Sequence, residues 1–222
     1  MTPVAAIFDV DGTLVGSNAV HYYLFFLKHL RSPLGRLAGL LTLALRTPYW
    51  LLLDRIDRGR FNRSFYRLYG GFPVADVARL AEPCFRTVMV PRLIPELARR
   101  ARQHRARGDR ILLVSGTLDV ILAPLATFLG AEAVLSPRLH QQDGVYRGEI
   151  AGANVVGRVK AEVVADYAAG HGIDLAKSHA YADSVSDIFL LNEVGHPVAV
   201  NPGRRLRRTA DRLGWEQVVA TR

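Results

Sequence analysis

The sequence predicts an α/β fold, with a Rossmann-like parallel sheet core and a helical cap inserted after the first strand. Short apolar runs that end in polar turn residues recur along the chain, as buried parallel strands do. Helical patterns, each closed by a glycine, lie between these runs. One long stretch, residues 17–85, is rich in leucine, aromatic residues and arginine but has no clear strand, so we expect a helical insertion there.

The elements follow from these patterns in chain order. The predicted strands are residues 4–10, 110–114, 179–182 and 197–200. The predicted helices are residues 91–107, 118–129 and 158–171, each followed directly by glycine. An Asp143-Gly144 turn between extended stretches predicts a β-hairpin. The expected organisation is a core of residues 1–16 and 86–222 with a cap of residues 17–85.

Composition limits the class of protein. The chain has 222 residues, 50% of them hydrophobic and 22% charged, which suits one α/β domain with an insertion. The net charge is +9, carried mainly by arginine. The densest basic run, residues 99–110, has no interleaved aromatic residues, so we expect no nucleic-acid partner. Cys84 is the only cysteine, which excludes an intrachain disulfide, and we expect it to be an apolar packing residue. The amino terminus runs directly into a strand with no signal peptide before it, so we expect a cytoplasmic protein.

Asp9 and Asp11 are the most informative pair in the chain. They follow the first apolar run, and residues two apart on a strand share a face. Their charges would repel unless a cation or a shared proton intervenes. Asp183 and Asp187 form a second such pair after the third predicted strand. Carboxylates from two strands that converge on one point would make a hard-cation site suited to Mg²⁺.

Two other polar clusters and one lysine complete the pattern. Ser115 and Thr117 follow the second predicted strand, and Lys160 lies near the start of a predicted helix. Asn201 follows the fourth strand, where we expect it to form a turn rather than to act in chemistry. Ligands bind beyond the carboxyl ends of the strands in open α/β sheets, so these clusters predict one phosphoryl-transfer site.

In this order, the segments DVDGTLV, LLVSGT, Lys160 and YADSVSDIFLLNEVGHPVAVNP resemble the four motifs of the haloacid dehalogenase (HAD) superfamily. The last segment looks most like subfamily IB, the phosphoserine phosphatase-like branch. The resemblance implies a Mg²⁺-dependent phosphomonoester hydrolase that acts on a small organic phosphate through an aspartyl-phosphate intermediate.

The resemblance also implies a role for each carboxylate. Asp9 would be the nucleophile that attacks phosphorus, and it would also bind the metal. Asp11 would be the general acid for the leaving group and then the base for water, with only its backbone carbonyl on the metal. Asp183 would bind Mg²⁺ directly, and Asp187 would support it directly or through water.

The remaining motif residues would bind the phosphoryl group. Ser115 would hydrogen-bond its oxygens, with the Gly116 backbone N–H and Thr117 beside it. Lys160 would neutralise the charge on the transferring group.

Substrate recognition falls to the predicted cap. The first motif continues into residues 16–21 with no carboxylate, whereas phosphoserine phosphatases usually have an acidic residue there that meets the substrate amine. We therefore expect a substrate other than phosphoserine. Asn18, His21 and cap arginines such as Arg60 and Arg63 are candidates to read a hydroxyl-rich or anionic leaving group.

Residues 34–53 are very apolar but are interrupted by Arg36, Arg46 and Pro48, which argues against a membrane span. Two cap helices packed on each other would explain the segment. Peripheral membrane contact through Tyr49 and Trp50 is the alternative, and it favours a lipid-linked phosphate as substrate.

Two rival functions remain open. A phosphotransferase or mutase would use the same phosphorylated Asp9 but pass the group to a second substrate. A membrane-surface or lipid-binding module with a vestigial site would not need the intact carboxylates and Lys160, so their presence speaks against it.

Overall fold

The computed structural model describes residues 2–221 and contains a parallel sheet flanked by helices. The strands are β1 Ala5–Asp9, β2 Arg110–Val114, β3 Ala133–Leu135, β4 Arg138–Gln142, β5 Val145–Ala151, β6 His179–Ala182, β7 His196–Val200 and β8 Glu216–Val218. The α-helices are α1 Ala19–Leu30, α2 Pro33–Ile56, α3 Arg58–Tyr66, α4 Val74–Cys84, α5 Pro95–Ala106, α6 Asp119–Leu129, α7 Arg158–His171, α8 Ile188–Asn192 and α9 Arg204–Leu213.

The main sheet has six parallel strands in the order β3-β2-β1-β6-β7-β8. Strand β1 lies in the middle, paired with β2 on one side and β6 on the other. The chain order reverses there, so the carboxyl end of β1 is the point at which such sheets bind ligands. All five residues of β1 are buried, which explains why it reads as a continuous apolar run. The predicted α/β fold is confirmed.

Two edge strands of this sheet, β3 and β8, were not predicted. Each has three residues, and neither forms a buried apolar run, because β3 is half-buried and β8 is mostly exposed. The predicted hairpin is β4–β5, and its turn residues Asp143 and Gly144 both have positive φ, as a type I′ turn requires.

The helix predicted at residues 91–107 begins four residues later, at Pro95. Residues Val90–Arg92 form a single 3₁₀ turn instead. Leu93 then pairs with Val15, and the Ile94 N–H donates to the Leu14 carbonyl at 2.8 Å. The segment is extended because the loop after β1 uses its backbone hydrogen bonds.

The insertion after β1 is helical, as predicted, and comprises α1–α4. The hairpin β4–β5 hydrogen-bonds to its far end, since Tyr146 N–H donates to the Phe72 carbonyl and the Gly71 N–H donates to the Tyr146 carbonyl. The division at residues 17 and 85 stays a prediction.

The apolar segment 34–53 is one helix, α2, and not two. Pro48 lies inside α2, where it costs one backbone hydrogen bond without ending the helix. Trp50 is buried and its Nε1–H donates to Ser64 Oγ at 2.9 Å, whereas Tyr49 is exposed. Within residues 2–221, no helix combines the length and apolarity needed to cross a bilayer.

Candidate active site

The predicted polar clusters meet at the carboxyl edge of the sheet. Asp9 is the last residue of β1, Ser115 follows β2, Asp183 follows β6, and Lys160 lies in the first turn of α7. A cavity of about 300 Å³ opens above them. Its lining includes the predicted Asp9, Asp11, Asn18, Ser115, Gly116, Thr117, Lys160 and Asp187. Parallel strand pairing thus brings together residues that are far apart in the chain: Asp9 and Asp187 are separated by 178 positions (187 − 9).

Lys160 and Asp9 form a buried ion pair at the floor of the cavity. Lys160 Nζ donates to Asp9 Oδ1 at 2.6 Å and also lies 3.0 Å from Asp187 Oδ1. Burial opposes the charge of Lys160, but the carboxylates of Asp187 and Asp9 raise its pKa overall, so it stays protonated. A fixed cation therefore stands beside the predicted nucleophile.

Three carboxylates converge next to this pair. One oxygen from each of Asp9, Asp183 and Asp187 lies within 4.8 Å of the other two. Burial, followed by the charge of neighbouring carboxylates, raises the pKa of Asp183. Burial likewise raises the pKa of Asp187, and Asp9 adds to the effect. The three carboxylates thus carry more negative charge than Lys160 alone can neutralise.

A divalent cation fits this donor set. Asp187 Oδ1 is buried and pairs with Lys160 Nζ at 3.0 Å, but it accepts no other hydrogen bond within residues 2–221. Hard carboxylate oxygens at this spacing are the ligands that Mg²⁺ prefers. Asp9, Asp183 and Asp187 are therefore the residues that would hold it.

Asp11 faces a different side of the cavity from the other carboxylates. Its carboxylate accepts hydrogen bonds from Tyr22 Oη at 2.8 Å and Thr117 Oγ1 at 2.7 Å, with Ser115 Oγ at 3.3 Å. Burial raises the pKa of Asp11, and the charge of Asp9 adds to this, although the two hydrogen bonds oppose it. A carboxyl with a raised pKa that is fixed beside a predicted nucleophile can exchange a proton there.

Gly12 and Thr13 follow Asp11 in the first motif and lie against the carboxylates of Asp9 and Asp183. Gly12 has φ +89°, and a Cβ on it would lie 2.2 Å from Asp183 Oδ2, so glycine is needed for both conformation and space. Thr13 Oγ1 donates to Asp9 Oδ2 at 3.0 Å and lies 3.4 Å from Asp183 Oδ1. The prediction did not include Thr13, although its place in the DVDGTLV turn was a usable signal.

The second motif joins the core to the insertion. The Thr117 N–H donates to Ser115 Oγ at 3.0 Å, which orients that hydroxyl toward Asp11. The Gly116 carbonyl accepts hydrogen bonds from Tyr66 Oη and from Asn62 Nδ2, at 3.2 Å for the latter. Asn62 and Tyr66 come from α3, so this helix is fixed directly over the site.

The cap residues that were predicted to contact the substrate differ in their position relative to the cavity. Asn18 lines the cavity, but its side-chain oxygen caps α1 by accepting from the Val20 and His21 N–H groups. His21 does not line the cavity and packs against Asn18, with 2.9 Å between Nδ1 and Oδ1. Arg60 is exposed and pairs with Asp57. Their roles in substrate recognition stay predictions.

The structure places Arg58 at the cavity instead of Arg60 or Arg63. Arg58 pairs with Asp54 at 3.8 Å, and its Nη1–H donates to Ser184 Oγ at 3.4 Å, so it bridges the insertion and the loop after β6. Sequence reasoning could not choose among the closely spaced arginines, because the register of α3 over the site decides which one faces it.

The upper wall of the cavity is largely apolar. It is formed by α2 and its neighbours, and its apolar members include Val20, Leu43, Trp50, Leu51, Phe61 and Val156. The cavity thus has a charged floor and a largely hydrophobic wall, as small-molecule sites commonly do.

Comparison with known proteins agrees with this geometry. A model of the family described as haloacid dehalogenase-like hydrolase matches residues 6–192. A probable phosphatase of Mycobacterium tuberculosis is 31% identical over 221 residues, covering 95% of this chain and 73% of the relative.

Solved structures share the architecture. A protein of unknown function from Bordetella pertussis superposes with a TM-score of 0.84 and 26% identity, covering 99% of each chain. A substrate-bound phosphoserine phosphatase superposes with a TM-score of 0.71 over 98% of this chain and 93% of the other, at 17% identity. The second likeness concerns the fold alone.

Proposed function

The chain belongs to the haloacid dehalogenase-like hydrolase family and is a phosphoric monoester hydrolase, and we propose that it is Mg²⁺-dependent and works through an aspartyl-phosphate on Asp9. One observation carries the proposal. A buried carboxylate, Asp9, is held by a permanent cation and flanked by two further carboxylates, while a separately bonded Asp11 has a raised pKa. A packing role alone would not explain so many buried charges at one point.

The first step is attack by Asp9 on phosphorus. Lys160 holds Oδ1 and Thr13 holds Oδ2, so the carboxylate is fixed before substrate arrives. A new bond forms between the carboxylate oxygen and phosphorus, and the bond from phosphorus to the leaving oxygen breaks. Asp11 gives its proton to that oxygen, so the product leaves as an alcohol.

The second step returns the enzyme to its starting state. Asp11, now ionised, takes a proton from water, and the resulting hydroxide attacks phosphorus. The bond between phosphorus and Asp9 breaks, which releases inorganic phosphate. Tyr22 and Thr117 hold the Asp11 carboxylate in one position through both proton transfers.

Charge on the phosphoryl group is balanced by groups already in place. Lys160 neutralises part of the charge that spreads over the oxygens during transfer. Mg²⁺ bound by Asp9, Asp183 and Asp187 would supply further positive charge at the same oxygens. α3, held to Gly116 by Asn62 and Tyr66, would keep bulk water from the intermediate.

The substrate is proposed to differ from phosphoserine. Some relatives bear the name phosphoserine phosphatase, including one of Mycobacterium tuberculosis at 29% identity. In this chain Val20 and the α2 residues Leu43, Trp50 and Leu51 line the cavity wall. The side-chain oxygen of Asn18 is already engaged in capping α1. This surface favours a less polar leaving group than an amino acid.

Phosphate release from a panel of phosphomonoesters tests the proposal. We expect turnover with Mg²⁺, loss of turnover with EDTA, and loss in Asp9→Asn. Competing alcohol acceptors in the same assay separate hydrolysis from transfer, because a phosphotransferase or mutase would yield a new ester in place of part of the phosphate. Turnover by Asp9→Asn at the wild-type rate would reject the covalent route.

A further inference from the structure

Helix α2 carries an exposed apolar stripe on the side away from the core. Nine of the fourteen large exposed hydrophobic side chains in the described residues belong to this one helix. Leu34, Leu37, Leu41 and Leu45 are 81%, 55%, 54% and 81% exposed. With Pro48, Leu52 and Ile56 they recur at spacings of three and four residues, so they share one helix face. We call these seven residues the α2 stripe.

The α2 stripe is long and is joined to the cavity. From Leu34 to Ile56 it runs for about 33 Å at 1.5 Å per residue. Leu51 both lines the cavity and is 62% exposed, and Leu40 lies along the same side of the helix. An apolar surface therefore continues from the cavity wall, across Leu51, to the outer face of α2.

Charge indicates what covers this face. The chain carries a net charge of +9, and exposed basic side chains lie on α2 and at the adjoining end of α1, at Arg36, Arg46 and Lys28. Arg36 and Arg46 form no salt bridge within residues 2–221. At about 100° per residue, Arg36 and Arg46 lie roughly 120–160° around α2 from the α2 stripe. An apolar face with basic side chains on the other side of the same helix is the arrangement of helices that lie at the boundary between acyl chains and anionic headgroups.

We propose that the α2 stripe docks on an anionic membrane surface, and that the active site acts there on phosphomonoesters with a long apolar leaving group. The second half rests on the proposed phosphatase function. The phosphoryl group would sit in the cavity against Asp9 and Lys160, and the apolar chain would follow Leu43 and Leu51 out of the cavity toward the bilayer. The helix lies on the membrane and does not cross it.

Vesicle co-sedimentation tests the docking half. Wild type should sediment with vesicles of equal parts phosphatidylcholine and phosphatidylglycerol, and at least about threefold less with phosphatidylcholine alone or in high salt. The variant Leu37→Glu/Leu41→Glu/Leu45→Glu should lose about tenfold or more in apparent affinity. Leu213→Glu, an exposed leucine on α9, is the matched control and should sediment as wild type does.

A second copy of the chain is the competing occupant, and the same variants exclude or establish it. The docking proposal would be overturned if wild type did not sediment with vesicles and instead formed a dimer, while the triple variant was monomeric. Equal sedimentation by the triple variant and wild type would also overturn it. Because the three leucines do not line the cavity, their substitution should leave hydrolysis of soluble p-nitrophenyl phosphate unchanged.

Soluble alkyl phosphates of increasing chain length test the substrate half. The apolar wall predicts that kcat/KM rises about threefold per added methylene until the wall ends. A flat series from ethyl to octyl phosphate would overturn this half while leaving the phosphatase function intact. Failure to release phosphate from any ester would instead reject the proposed function, even if the protein sediments.

Discussion

Lys160 Nζ lies 2.6 Å from Asp9 Oδ1, and both side chains are almost wholly buried, at 6% and 5% exposed. Such a pair adds little to stability by comparison with apolar packing, because desolvation of both charges offsets their attraction. Its place at the end of β1, against Asp187 and in the cavity, is therefore better explained by the catalytic role that we propose for the pair than by stability.

Lys160→Met should lower kcat/KM by about 10²- to 10³-fold, because it removes the cation that we propose stabilises the transferring phosphoryl group. It should also lower the free energy of unfolding by about 3–5 kcal/mol without metal, because buried carboxylates lose their partner. Kinetics and urea unfolding measure the two effects. Lys177→Met, which alters an exposed lysine paired with Asp174, is the control and should change neither. A threefold loss or less in Lys160→Met would mean that this charge does not act in the reaction.

Gly12→Ala should reduce activity by about tenfold or more, because the new Cβ would displace the Asp183 carboxylate. Gly108→Ala is a matched control, since Gly108 has φ +88° against +89° for Gly12 but nothing within 4 Å of the added Cβ. Both variants should lose about 1–2 kcal/mol of stability from backbone strain. Only Gly12→Ala should need more Mg²⁺ for half-maximal activity. Equal activity in the two variants would show that the contact with Asp183 is unimportant.

Tyr66→Phe should weaken the attachment of α3 to the core, because the Gly116 carbonyl would keep only the Asn62 hydrogen bond. We expect a loss of about 0.5–1.5 kcal/mol in the free energy of unfolding and a several-fold fall in kcat/KM. Denaturant unfolding and steady-state kinetics provide the test. Tyr167→Phe removes a surface hydroxyl bonded to Glu132 and should leave kcat/KM unchanged. If the two variants have the same kinetics, Tyr66 has no part in closing the site.

Stability should fall on acidification, in part because of His179. Partial burial, then the nearby rings of His104 and His196, lower the pKa of His179 to about 4, although Asp109 opposes the shift and Arg107 favours it. A folded-state pKa below the unfolded value of about 6.5 means that the unfolded chain binds the proton more readily. The stabilising contribution is therefore complete above about pH 6.5 and is lost as pH falls toward 4.

His179→Asn should remove that part of the pH dependence, on the order of 1 kcal/mol after allowance for solvent screening. Urea unfolding of wild type and variant at several pH values between 4 and 7 measures it. His140→Asn, at an exposed position in the β4–β5 hairpin, should behave as wild type. Parallel stability curves for wild type and His179→Asn would refute this assignment.

The core of the fold could be predicted because its strands are buried on both faces. Strand β1 and strand β2 read as apolar runs for that reason, and polar residues at their carboxyl ends then marked the site. Strand β8 escaped prediction because Glu216 and Gln217 leave its short sequence without an apolar pattern. Asn201 forms the predicted turn, with φ +44° and its Oδ1 accepting from the Ala220 N–H. Cys84 is buried in the apolar core, as expected, and burial raises the pKa of its thiol to about 12.

The contacts of the cap were harder to predict than those of the core, because they depend on how the cap helices pack over the core rather than on the local sequence pattern. Nothing in the local sequence distinguishes Arg58 from Arg60, yet only Arg58 lines the cavity. The alternative of peripheral membrane contact placed Trp50 at the bilayer boundary, but Trp50 is buried and bonded to Ser64, whereas Leu45 and Tyr49 are exposed. Such differences are set by tertiary packing of α2 on α3, which one sequence does not display.

Acid-quench mass spectrometry of the enzyme during turnover tests the central claim most directly. With p-nitrophenyl phosphate and Mg²⁺, we predict one added phosphoryl group on the peptide that contains Asp9, and none in Asp9→Asn. An enzyme that turns over at full rate while every quenched peptide stays unmodified, or carries the group on a residue other than Asp9, would contradict it.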